Sequence, residues 1–275
     1  MKKILTELSL LFLVILFTQP AFAFRVGGLQ NPENVLIDPG TGVYFISGHS
    51  KKAGFIWKVD AAGKLSTFIE GGKKGIALHA PKSMALSGDQ LYVADGNTLR
   101  RFDKTTGNPL GQIDLLGIGG KTLHGLAMGI EGQLFVSDGL GSAIYKIDTR
   151  NAHGVSIVVK SPNLNHPTGM VYDVPRNRLI VLSKNRILSV GLGGKIAPLV
   201  DNNFKSLSGV DWDRQGNLLV SDRATGTVYR IRNFNKLEVL RQNIQSPAGI
   251  AFDYTHNRIL VPSVKGNLVF SVDLK

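Results

Sequence analysis

A three-part pattern recurs six times along this chain, and its spacing leaves few folds open. The first part is a small residue, a short apolar run and often Asp. It appears as Gly169-Met170-Val171-Tyr172-Asp173, Gly209-Val210-Asp211-Trp212-Asp213 and Gly249-Ile250-Ala251-Phe252-Asp253. The second is a polar residue, three or four apolar ones, then Ser or Asp, as in Gln133-Leu134-Phe135-Val136-Ser137-Asp138 and Asn217-Leu218-Leu219-Val220-Ser221-Asp222. The third is apolar and often aromatic around Lys, Arg or Ser, as in Ile56-Trp57-Lys58-Val59-Asp60. Its middle residue falls at Lys58, Arg101, Lys146, Ser189, Arg230 and Ser271, so successive units lie 43, 45, 43, 41 and 41 residues apart. Segments of this length, rich in β-branched and aromatic residues and bounded by Gly, Asn, Asp and Pro, read as strands and turns. Such a period with three or four short strands per unit predicts an all-β, six-bladed β-propeller.

The two ends of the chain complete the prediction. A fourth strand is expected in five units, near residues 65–69, 112–115, 155–159, 196–200 and 237–240, but the sixth unit ends directly after its third strand. Phe24-Arg25-Val26, just before the first unit, is expected to supply the missing strand and close the ring, which removes two open sheet edges. Residues 1–23 read as a secretory signal: a basic start at Lys2-Lys3, an apolar run over residues 8–17, and Ala21-Phe22-Ala23 before cleavage after Ala23. The run is short for a bilayer span. The expected mature chain, residues 24–275, is therefore one propeller domain in the periplasm or outside the cell, with no transmembrane segment after cleavage. The sequence has no Cys, which excludes disulfides, thiolate catalysis and Cys-based metal sites.

Two units, Pro167-Thr168-Gly169-Met170-Val171-Tyr172-Asp173 followed by Arg178-Leu179-Ile180-Val181, and Pro247-Ala248-Gly249-Ile250-Ala251-Phe252-Asp253 followed by Arg258-Ile259-Leu260-Val261, resemble NHL-type repeats. Residues 24–275 also resemble the senescence-marker/gluconolactonase family of six-bladed propellers. That resemblance implies a channel-facing position just before the small residue of each unit, here Glu33, Lys82, His124, Thr168, Ser208 and Ala248. It also implies, in some members, a divalent cation such as calcium held by a Glu in the first blade and by Asn and Asp in later ones. Glu33 matches the first ligand, whereas Thr168 and Ser208 stand where Asn and Asp would be. A hard cation wants several oxygen donors, and one Glu beside Lys82 is a poor cage.

The loops after the second strands should face the same end of the channel and bring His49, Asp95, Asp138, Asp222 and Arg223. His124, Asp138 and Asp222 are the candidate catalytic residues, as an acid/base or metal group with Glu33. The competing reading is that the recurring Asp residues are turn formers that accept backbone N–H groups; their recurrence favours it, since a catalytic residue need occur only once. Gly191-Leu192-Gly193-Gly194-Lys195 lacks the spacing of a phosphate loop, and no G-x-S-x-G or H-E-x-x-H is present. The net charge of +12 admits an acidic partner, but the basic residues are spread over every unit, and no basic-aromatic platform for nucleic acid is present. Two functions follow. The leading one is a non-catalytic propeller binding a protein or a small ligand, acidic ones included, through Glu33, Lys82, His124, Thr168, Ser208 and Arg223. The alternative is a metal-dependent lactone or ester hydrolase of the kind the resemblance implies.

Overall fold

The computed structural model describes residues 24–200 and 202–274; the expected signal segment and its cleavage after Ala23 lie outside the described residues. Among the described residues, twenty-four strands form six antiparallel four-stranded sheets. The first blade runs Pro32–Asp38, Val43–His49, Gly54–Val59 and Leu65–Glu70 outward in chain order. The next four blades repeat this, beginning at Pro81–Ser87, Leu123–Met128, Pro167–Asp173 and Leu207–Trp212. The sixth has Ala251–Asp253, Arg258–Ser263 and Leu268–Asp273, and takes its outer strand, Arg25–Val26, from the start of the described chain. Arg25 pairs with Phe270 and Val26 with Val269, so the ring closes as the sequence predicts. The Ser271 amide donates to the Phe24 carbonyl at 2.8 Å. The inner strands meet as well, through a parallel bridge between Asn34 and Gly249.

Packing explains the three parts of the pattern. The second strand of each blade is covered on both faces by neighbouring blades and is therefore apolar without alternation; Leu134, Phe135 and Val136 are fully buried. Outer strands face solvent, as in Lys236–Arg241, where polar and apolar residues mix. The basic residue at the middle of the third part is not always at the surface: Arg230 is buried, with Nε 3.1 Å from a carboxylate oxygen of Asp213. Asp173 with Arg178 (2.8 Å) and Asp253 with Arg258 (3.0 Å) repeat the pairing, which accounts for the Asp ending the first part of the pattern. The second blade's outer strand, Pro109–Asp114, starts three residues earlier than expected.

The small residue of the first part is set by contact between blades. A Cβ on Gly125 would stand 2.2 Å from the Thr168 carbonyl oxygen, and one on Gly209 would stand 2.4 Å from that of Ala248. Inner strands approach so closely here that only hydrogen fits. Between neighbouring blades lie separate apolar sectors rather than one central core. The axis is left as a channel of about 600 Å³ lined by the six inner strands.

Candidate functional site

Backbone irregularity puts the site residues into the channel. In the first five blades the pairing of first and second strands breaks register after the opening pair, between Pro32 and Asn34, Pro81 and Met84, Leu123 and Leu126, Pro167 and Met170, and Leu207 and Val210. Glu33, Lys82, His124, Thr168 and Ser208 sit in those breaks. A bulge re-aims the side chain it carries, and all five border the channel near its upper mouth. Alternate blades lock the arrangement with a buried serine in the second strand. Ser47 donates to the Lys82 carbonyl (2.5 Å), Ser137 to that of Thr168 (2.6 Å) and Ser221 to that of Ala248 (2.7 Å). The serines were visible in the second part of the pattern, but their partners lie one blade away.

Glu33 is the electrostatic centre of this mouth. It is buried, and each carboxylate oxygen meets a cation: Oε1 lies 2.8 Å from Lys82 Nζ and Oε2 2.6 Å from Arg223 Nη2. Burial alone would raise its pKa, but the charges and hydrogen bonds of Lys82 and Arg223 outweigh burial and hold it below the usual range. One carboxylate between two cations leaves the cluster one positive charge in excess. His124 borders it, and burial together with the nearby Lys82 pushes its pKa down to about 4, so it is a neutral imidazole at physiological pH. His49 lies within reach of the same charges; burial and Lys82 lower its pKa too. His49 Nδ1 and Arg223 Nε are buried and have no hydrogen-bond partner among the described residues.

The other sequence candidates fall elsewhere in the hydrogen-bond network. Asp138 is fully buried and accepts the backbone amides of Lys121, Thr122 and Gly141 at 2.8–2.9 Å. Asp222 accepts those of Lys205, Ser206, Ala224 and Thr225. Both pin the loops above the blades, as turn formers do, and Asp138 lies near enough to His124 for its charge to act on the imidazole. Asp95 does the same for His79 and Ala80, with Arg100 Nε at 2.6 Å. The Thr168 hydroxyl donates to the Leu207 carbonyl at 3.2 Å, while Ser208 borders the channel.

The residues present do not fit the divalent cation that the family resemblance implies. Both Glu33 oxygens are engaged by cations, and the Thr168 hydroxyl donates its proton to a carbonyl. Among the described residues no group of three His, Asp or Glu side chains is arranged to hold a metal ion.

His124 has a consequence for stability. An unfolded histidine protonates near 6.5, whereas this one protonates near 4, so the unfolded chain binds the extra proton as pH falls through that window. Stability present above pH 6.5 is therefore lost on acidification, by about 3 kcal/mol in all. Urea midpoints of wild type and His124→Asn should diverge between pH 7 and 4, the wild type falling more steeply; parallel profiles would contradict it.

No family model matches the sequence, and no curated protein is similar to it. Solved structures are similar in fold. Virginiamycin B lyase from Staphylococcus aureus superposes with a TM-score of 0.66 at 15% identity, covering 92% of this chain and 99% of the lyase. An auxiliary nutrient binding protein from Bacteroides ovatus gives 0.71 at 10% identity, covering 88% and 69%. Regucalcin, a calcium-binding protein from Agrobacterium tumefaciens, gives 0.70 at 16%, covering 90% of both chains. These neighbours include both enzymes and binding proteins, and at such identities they establish architecture only. The chain is a six-bladed β-propeller, structurally like virginiamycin B lyase, regucalcin and the Bacteroides nutrient-binding proteins.

Proposed function

We propose that the upper mouth of the channel is a binding site for a small acidic ligand, or for an acidic group of a larger partner, and that it is not catalytic. The supporting observation is the Lys82–Glu33–Arg223 cluster, with its excess positive charge, beside the unpartnered Arg223 Nε and His49 Nδ1. A carboxylate or phosphate group meets Arg223 through donors that Glu33 does not occupy. The neutral His124 supplies a hydrogen-bonding edge without charge. Export to the periplasm or beyond belongs to the same proposal and rests on the signal-like residues 1–23.

A metal-dependent lactone or ester hydrolase has less support, because Glu33, its one matching ligand, is held by two cations. Calorimetric titration with citrate, gluconate and inorganic phosphate, against neutral glucose, tests the binding reading. Anions should bind in preference to glucose, and Arg223→Ala should weaken them at least tenfold. Equal binding of glucose, or lactone hydrolysis that disappears in Glu33→Ala, would overturn it.

A further inference from the structure

The lower half of the channel carries a half-buried carboxylate that the upper site does not use. Asp211 stands three residues below Ser208 on the fifth blade's inner strand and borders the channel. The corresponding residues of the other five blades are Leu36, Ala85, Ala127, Val171 and Ala251, so the carboxylate stands alone in an apolar ring. It accepts two backbone amides, from Trp212 at 2.8 Å and from Phe252 at 2.7 Å, and no cation pairs with it among the described residues. The acids below it are neutralised: Asp213 by Arg230, Asp173 by Arg178, and Asp38 at the lower mouth by Lys104 at 3.2 Å. Two amide hydrogen bonds leave about half of a carboxylate's acceptor sites unused. A lone carboxylate in apolar surroundings is costly unless a cation joins it.

We infer that the lower half of the channel binds a small organic ammonium ion, with its N–H groups on Asp211 and its apolar body against Leu36, Val171 and Trp212. Charge complementarity selects a cation. The apolar ring selects against strongly hydrated metal ions and in favour of an amine with a hydrocarbon body. The whole channel, about 600 Å³, has the size of a small-molecule site, and its lower half is continuous with it. Burial also raises the Asp211 pKa to about 6, so acidification discharges the carboxylate in an accessible range. Of the other titratable groups nearby, two are shifted away from that range and two are held in ion pairs. Tyr254 is pushed up by burial and by Asp211 and Asp213, Asp38 is held down by its hydrogen bonds with Lys104 and Thr41 despite burial, and Asp213 and Lys104 are ion-paired. His124, at the far end, titrates near 4.

The chain has two tryptophans, so Trp57→Phe leaves Trp212 as the sole indole reporter beside the site. Titration of that protein with benzylammonium and with benzyl alcohol, its neutral counterpart, should show at least tenfold tighter binding of the ammonium at pH 7.5. The preference should disappear in Asp211→Asn, and in the unaltered site should weaken about tenfold between pH 7.5 and pH 5. The pH series needs no change at Asp211, so it decides the matter even if Asp211→Asn does not fold. Alcohol binding as tightly as ammonium, or affinity unchanged from pH 7.5 to 5, would overturn the inference.

Discussion

Removing residues 24–29 should open the ring and cost about 3–6 kcal/mol of stability. Val26 and Leu29 are buried against Val35, Ile46, Leu260 and Val269, in the sector joining the first and last blades. Burying each such side chain contributes about 1.5–3 kcal/mol. The deletion also removes Phe24, whose ring lies 5.0 Å from that of Tyr44 and under the Arg258 guanidinium. A domain stabilised by about 5–15 kcal/mol would be left marginal. A second effect follows from topology: Leu268–Asp273 would become an open edge with unpaired amides, a template for pairing with another chain. Denaturant titration should show a large fall in midpoint, and size-exclusion chromatography should show dimers or larger species. A monomer with an unchanged midpoint would mean that closure rests on the inner bridge between Asn34 and Gly249 alone.

Glu33→Gln should destabilise the protein and, at the same time, tighten its hold on anions. Removing one partner of a buried ion pair is strongly destabilising, typically about 3–5 kcal/mol. Lys82 and Arg223 are 24% and 33% exposed, so solvent recovers part of that loss, and about 2–4 kcal/mol is expected. The same change frees both cations for a ligand, and anion affinity should rise about tenfold, equivalent to about 1.4 kcal/mol. A metal ligand behaves in the opposite way, since its loss weakens binding. Differential scanning fluorimetry and phosphate titration of the same variant therefore separate the two roles. Weaker anion binding in Glu33→Gln would show that the carboxylate serves the ligand directly rather than holding the cations apart.

The architecture was legible because a propeller writes itself in short-range pattern. The intervals between Lys58, Arg101, Lys146, Ser189, Arg230 and Ser271 count the blades, and the missing outer strand after Leu268–Asp273 points to Phe24-Arg25-Val26. The recurring Asp138 and Asp222 were legible as turn formers for the same reason, since a repeated residue answers a repeated geometric need. The site was legible as a set of positions. Glu33, Lys82, His124, Thr168 and Ser208 could be aligned, and Arg223 and His49 placed on the same end. Asp211 could have been noticed by setting the six copies side by side, where it alone is acidic at its position.

The sequence by itself determined blade number, strand order and ring closure, because these follow from apolar runs and turn residues that act within about 42 positions. Only the tertiary structure decided what the channel residues do. Lys82 and Arg223 reach Glu33 from 49 and 190 residues away, and Phe252 reaches Asp211 from 41. Whether a carboxylate is a ligand, a salt-bridge partner or a lone charge depends on which atoms lie within about 3 Å and how much water remains. Those quantities are set by the meeting of strands from different blades. They turned Glu33 from a metal ligand implied by resemblance into the centre of a cationic cluster, and set Asp211 alone in an apolar ring.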